Sequence, residues 1–328
     1  MRYPPAVLTP LKRYIKRTAR PLIASVAQQI WAENADETVG AHVDSRLHDA
    51  LAGEVVPLVD PRVARAPMYT ARNVPIEPDA DDIAVPMGRR EPGAGLPIPP
   101  RAMWQIDVPD DAEYLATGLE HLGRMTDILA ANGAPREAWG PVLEIGVGSG
   151  RLLRHLKDHA AHHEVWGVDV DEAGVNWLSE NLSPPFRFAP CSSEPHLPFD
   201  DRSFGLVYAG SVFTHIAELI DAWVLELRRV TRPGGWLFIT FQDQHWVDQI
   251  RALDDDHWIG HRLEAGRPLV DRLGVDAWMV SLGRANTGAM VLHDRDSLVR
   301  RWGQFFEVVA VESEARSLQS GIVLRRHP

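Results

Sequence analysis

The spacing of apolar positions changes along the chain, and each change predicts a different kind of element. Over 110–133, DDAEYLATGLEHLGRMTDILAANG, apolar residues recur at helical spacing. An amphipathic helix follows, capped by Asp110 or Asp111 and ended before Gly133. Beyond it, short apolar runs alternate with helix-period segments. Strands are predicted over Val142–Ile145, 165–168, 186–188, Phe204–Ala209 and 236–241, and helices over 151–159, Glu172–Leu182 and Ile220–Val230. Such alternation implies right-handed βαβ units and a parallel sheet covered on both faces. FFEVVAVES and QSGIVLRR are β-rich runs joined by a short turn, which predicts an antiparallel pair. The expected fold class is therefore α/β: a doubly wound, mostly parallel seven-stranded sheet with an antiparallel C-terminal strand pair.

The region before this domain reads differently. In 1–56, Leu8, Leu11, Tyr14, Ile15, Leu22, Ile23, Val26 and Ile30 recur near helical spacing, with Pro21 as a break. Residues 57–109 are proline-rich, which excludes a regular helix or central strand and predicts a linker or wrapping arm. Residues 110–328 form the main domain, with 242–288 as a substrate-binding insertion.

Charge and composition narrow the partners. The net charge is −11, which argues against a nucleic-acid partner. The first twenty residues nevertheless hold Arg2, Lys12, Arg13, Lys16, Arg17 and Arg20 and no acid. That basic helix either packs on the acidic body or meets a membrane surface or acidic partner through residues 8–31. The single cysteine, Cys191, excludes a disulfide within the chain and suits a cytoplasmic location. No apolar run approaches the ~18 residues of a membrane span, and the N-terminus lacks the apolar stretch of a signal peptide. His155, His159, His162 and His163 lack a completing carboxylate or cysteine, and DDDH at 254–257 reads as a cap and charged loop, so no metal is expected.

The candidate chemistry begins at PVLEIGVGSGRLLRHL, where Gly146, Gly148 and Gly150 follow a strand directly. By itself this is either a tight turn or a backbone cradle for an anionic group at a helix N-terminus. Asp169 ends the next strand, about 20 residues on, where a carboxylate is placed to accept both hydroxyls of a ribose. Asp171 is expected to cap the following helix. Arg151 stands where the dinucleotide fingerprint wants its last glycine, which disfavours a nicotinamide-dependent oxidoreductase.

Taken with Glu144, LPFDDRSFGLVYAGSVFTHI and LRRVTRPGGWLFITF, the glycine loop resembles that of class I S-adenosylmethionine-dependent methyltransferases over 142–241. The resemblance implies S-adenosylmethionine as cofactor. Gly146, Gly148 and Gly150 would lie against its amino-acid end and Glu144 near its ammonium. Asp169 would hold the ribose, Val170 would pack on the adenine, and Ser192 or a backbone carbonyl would meet the adenine edge. Cys191 reads as a buried structural thiol, and RPGG as turn chemistry. His215 follows the fourth strand beside the methyl group, as a general base or as a residue that orders its loop. His245 and His257 are further base candidates. Trp246 and Trp258 form either a pocket wall or the core of a small cap, and Trp104 and Gln105 are expected over the cofactor mouth. The implied activity is methyl transfer to O or N of a small molecule or a sugar- or lipid-linked precursor. The alternative is a non-catalytic cofactor-binding module that docks through its basic helix.

Overall fold

The computed structural model describes residues 70–71, 84–85, 95–253, 258–283 and 289–328. The expected helical segment 1–56, its contact surface at 8–31, most of the proline-rich stretch, His257 and the side chain of Trp258 lie outside the described residues. Two-residue strands β1 (Thr70–Ala71) and β2 (Ala84–Val85) pair in parallel.

The main domain starts at α1 (Asp111–Ala131), whose N-cap Asp110 accepts from the Glu113 N–H at 2.9 Å. There follow β3 (Val142–Ile145), α2 (Lys157–Ala160), β4 (Val165–Asp169), α3 (Glu172–Leu182), β5 (Arg187–Pro190), β6 (Phe204–Ala209), α4 (Ile220–Val230) and β7 (Thr231–Phe241). After β7 come α5 (Gln244–Ala252), α6 (Trp258–Ala265), α7 (Arg267–Val270), β8 (Met279–Leu282) and β9 (Met290–His293). The chain then runs through α8 (Arg295–Trp302), β10 (Glu307–Arg316) and β11 (Gln319–Arg325). The seven-stranded sheet has the order β10-β11-β7-β6-β3-β4-β5, and β11 is antiparallel to both of its neighbours. Strand order reverses between β3 and β6, so a crevice opens beyond their carboxyl ends.

The pleat divides the core. Val142, Leu206 and Tyr208 pack on one face with Leu122, Met125 and Trp139 of the α1 side. Leu143, Ile145, Val207 and Ala209 pack on the other with Trp223, Leu227 and Trp302. Every residue of β6 is buried, as expected of a central strand covered on both sides.

Three local expectations are corrected. The helix expected over 151–159 is a 3-10 turn, Leu153–Leu156, leading into the single turn of α2. Its bonds tighten to i−3, as His155 N–H to the Leu152 carbonyl at 3.0 Å, while Gly118 of α1 presses on the Arg151 carbonyl. β7 begins five residues earlier than the apolar run alone suggests, at Thr231 rather than Trp236. RPGG is a bulge within it: Phe204 pairs with Thr231, but Leu206 pairs with Trp236. Among the described residues, the segment 242–288 contributes three helices and the first strand of an antiparallel pair, β8–β9, around its own apolar cluster.

Candidate functional site

Buried polar groups gather at the carboxyl ends of the parallel strands: Glu144, Ser149, Arg151, Asp169, Thr240 and Gln242. β3 delivers Glu144 and then the glycine loop. Gly146, Gly148 and Gly150 have φ of +69°, +53° and +73°, the left-handed region that glycine enters without steric cost. The Gly148 N–H donates to Asp169 Oδ2 at 2.7 Å, and the Asp171 N–H donates to Oδ1 at 3.0 Å. Asp169 therefore pins the loop to the tip of β4. A carboxylate has about four acceptor positions, so each of its oxygens keeps one after these bonds. Asp171 occupies the N-cap position of α3 but makes no side-chain cap bond.

Glu144 is 3% exposed, and the Tyr208 hydroxyl donates to its Oε2 at 2.7 Å. Burial pushes this carboxyl up to about 8, against the lowering effect of the Tyr208 bond and of Arg316 and Arg151. Among the described residues its Oε1 makes no hydrogen bond. At the tip of β4, Val170 is 57% exposed, a large apolar side chain turned to solvent. Cys191 bonds through its N–H to the Asp169 carbonyl, and burial pushes its thiol up to about 12. Ser192 Oγ accepts from the Glu194 N–H at 3.2 Å.

Residues 96–105 run beside this loop. Arg154 Nη2 donates to the carbonyls of Leu96 and Pro97, at 3.1 and 2.5 Å. Trp104 stacks on Tyr114 with ring centroids 4.6 Å apart, and the Tyr114 hydroxyl is 2.8 Å from Ser149 Oγ. Gln105 ends over Gly148, where a Cβ would overlap its side chain.

The sheet order, the glycine loop and the acid at the next strand tip coincide with a family match. The family described as "Methyltransferase domain" matches residues 143–239, which span β3 to β7. Residues 143–239 therefore form a methyltransferase domain with the class I, S-adenosylmethionine-dependent fold. A sterol 24-C-methyltransferase of Gibberella zeae is 28% identical over 166 residues, covering 47% of this chain and 40% of that protein. A ubiquinone/menaquinone biosynthesis C-methyltransferase of Cupriavidus pinatubonensis is 29% identical over 154 residues, covering 46% of this chain and 60% of that one. The chain thus spans about half the length of these curated relatives. A solved 1,6-didemethyltoxoflavin-N1-methyltransferase of Burkholderia thailandensis is 14% identical with a TM-score of 0.44, covering 69% of this chain and 94% of that one.

In the methyltransferase domain, the turn after β6 meets the insertion. Ser211 sits at φ +61°, outside glycine's usual monopoly of that region, and its N–H donates to Thr240 Oγ1 at 2.8 Å. Gln319 Oε1 accepts from both Ser211 Oγ and Thr240 Oγ1. The Val291 N–H donates to the Thr214 carbonyl and the His293 N–H to the Gln242 carbonyl, so β9 is stapled across the exits of β6 and β7. His215 Nδ1 lies 2.7 Å from the Ala289 carbonyl. A carbonyl only accepts, so Nδ1 carries the proton, and neutral His215 keeps a lone pair on Nε2.

The other candidates divide. His245 Nε2 is 3.1 Å from Glu314 Oε1. Trp246 is 4% exposed in the small core with Val247, Ile250 and Leu263, so it supports the insertion and forms no pocket wall. Trp104 faces Tyr114, and only Gln105 of that pair covers the loop. His159 Nε2 is 2.7 Å from the Gly140 carbonyl, and no group of three metal-ligating side chains occurs among the described residues. Tyr208, Arg316 and Gln319 escaped the sequence reading. Tyr208 looked like one more residue of a strand, and the other two come from a hairpin over a hundred positions downstream. A shallow depression lined by Trp166, Phe199, Phe204 and Arg229 lies at the amino ends of β4 and β6, away from this chemistry.

Proposed function

We propose that the protein is an enzyme that transfers the methyl group of S-adenosylmethionine to a nucleophilic atom of a small molecule. The observation that carries this reading is the Asp169 carboxylate: it is 8% exposed, bonded to Gly148, and left with one acceptor position on each oxygen for a ribose diol. The remaining donors and acceptors fit the same molecule. Val170 offers an exposed apolar surface to a purine ring, and Ser192 a hydroxyl to its edge. Glu144 is a buried carboxyl with a vacant oxygen, suited to an ammonium. Gly148 leaves its stretch of backbone open to close approach, with the Gln105 amide as a polar contact over it, while Val212 packs at Gly146 and Leu178 and Leu182 pack at Gly150.

Bound there, S-adenosylmethionine supplies a methyl group already activated on a sulfonium. The chain's own task is alignment and exclusion of water, and alignment alone is worth about 7–11 kcal/mol in favourable systems. Gln105 closes one side of the crevice, and the turn 211–215 closes the other. His215 takes the acceptor's proton on Nε2, held in that tautomer by the Ala289 carbonyl. The acceptor atom is oxygen or nitrogen of a small molecule or of a sugar- or lipid-linked precursor. A second reading, carbon, is favoured by the two relatives named as C-methyltransferases. Both use the same base, because a methylated carbon must also lose a proton.

Calorimetry with S-adenosylhomocysteine tests the binding reading. Asp169→Ala is expected to weaken binding by about 1–3 kcal/mol, the cost of losing charge-assisted hydrogen bonds; unchanged affinity would refute the ribose assignment. Release of S-adenosylhomocysteine in the presence of candidate acceptors separates an enzyme from a binding module. With a working acceptor, His215→Ala should lower kcat by about 10²–10⁴ while cofactor affinity stays the same.

A further inference from the structure

The glycine loop lacks the long helix that would supply a dipole for an anion, yet two guanidinium groups stand beside it. Arg151 is 8% exposed, and its enclosed Nη1 has no hydrogen-bond partner. Its Nη2 donates to His121 Nδ1 at 3.2 Å, and His121 Nε2 lies 3.1 Å from Ser317 Oγ. Burial first, and then Arg316 and Arg151, lower His121 to about 4. The ring is therefore neutral at physiological pH: Nδ1 accepts from Arg151 and Nε2–H donates to Ser317.

Arg316 comes from the other direction. β10 runs parallel to β7 and ends at the same edge of the sheet. From there the side chain crosses the tips of β11 and β7 to Gly210, where a Cβ would overlap its Nη1. Burial and then Arg151 lower it to about 10, so it stays charged at neutral pH. Among the described residues neither Arg151 nor Arg316 belongs to an ion pair, and the Arg316 guanidinium makes no hydrogen bond. The carboxyl that acts on both is Glu144, which burial keeps largely protonated in the free protein and which in the complex is committed to the cofactor's ammonium. Two unneutralised cations held together at a partly buried site are costly unless an anion joins them.

We infer that Arg316, backed by Arg151, is the docking point for an anionic group of the methyl acceptor, a carboxylate or a phosphate. The inference rests on the methyltransferase reading above. The cofactor carries one carboxylate, and there are two guanidiniums. Arg151 follows Gly150 directly and stands on the side of the cofactor's amino-acid end. Arg316 touches the tip of β6, one strand further from Asp169, where the turn leads to His215. Its planar fork suits a bidentate carboxylate or phosphate. The acceptors are thus anionic small molecules, held by their charge with the nucleophile turned to the crevice.

The experiment is calorimetry on the full chain saturated with S-adenosylhomocysteine, titrated with benzoate and with inorganic phosphate. The wild type should bind at least one of them; Arg316→Gln should weaken that binding about tenfold or more, and Arg316→Lys by an intermediate factor, since it keeps the charge and loses the fork. The affinity of both variants for S-adenosylhomocysteine should stay within about twofold of wild type. Thermal melts check folding, and Arg316→Lys alone carries the test if Arg316→Gln fails to fold. A loss of about tenfold in S-adenosylhomocysteine affinity would overturn the inference, because the guanidinium would then serve the cofactor's own carboxylate. Anion binding that is absent, or equal in all three proteins, would overturn it as well. A wild type that does not bind S-adenosylhomocysteine would instead refute the methyltransferase reading itself.

Discussion

Glu144 has an unusual position for a carboxyl: enclosed, bonded by one hydroxyl, and close to arginines that do not pair with it. Its pKa of about 8, against an ordinary 4.5, means that the folded chain holds a proton which the unfolded chain has released. Stability from this group is full below about pH 4.5, declines as pH rises towards 8, and is absent above it. Thermal melts from pH 6 upward should therefore show wild type losing more stability than Glu144→Gln. A cofactor ammonium beside Glu144 favours the ionised form. S-adenosylhomocysteine binding at pH 7 should accordingly release a proton, seen as a dependence of the binding enthalpy on buffer; a buffer-independent enthalpy would count against that contact. The acid itself was legible in the sequence as part of VLEIG. Its protonation was not, because that depends on Tyr208 and on the desolvation by the residues packed around it.

At the scale of elements, the glycine loop is shaped by what packs behind it. Gly118 in α1 looks dispensable in a helical pattern, and glycine in a helix interior costs about 1 kcal/mol relative to alanine. Here it lets α1 lie directly on the Arg151 carbonyl, with Arg151 Cγ and His155 Nε2 both 3.0 Å from where a Cβ would sit. Gly118→Ala should reverse the usual preference and destabilise the protein by about 1–3 kcal/mol, as overpacking does. Urea unfolding measures it, and S-adenosylhomocysteine affinity should fall with it because the loop must shift. The same contact explains why the expected helix over 151–159 becomes a 3-10 turn and a single α-turn. The periodicity of RLLRHLKDH was real, since Leu152, Leu153 and Leu156 are all buried, but periodicity does not report crowding from another helix.

At the scale of the whole molecule, the insertion has a core of its own, Trp246, Val247, Ile250, Leu263, Val270 and Leu292, joined to the sheet by β9 and by the Asp243–Arg295–Ser320 bonds. Trp246→Ala removes its largest buried side chain and should cost about 3–5 kcal/mol of local stability. Hydrogen exchange should place the lost protection in 244–282, with protection of β3, β4 and β6 retained. S-adenosylhomocysteine affinity should stay within about twofold, because the loop and Asp169 lie outside this core.

By itself the sequence determined the features set by local chemistry and by period. Alternating buried runs and amphipathic helices prescribed the parallel sheet, Asp110 the start of α1, three glycines a left-handed loop, and Asp169 an acid at the next strand tip. Only the tertiary structure decided which distant side chains share that edge. Arg316 and Gln319 arrive from the C-terminal hairpin, Gln105 from the segment before α1, and Ala289 from the insertion to orient His215. The reason is physical. Period and propensity act within a few residues, whereas hydrogen bonds, desolvation and charge act between whatever groups the sheet order brings within a few ångströms.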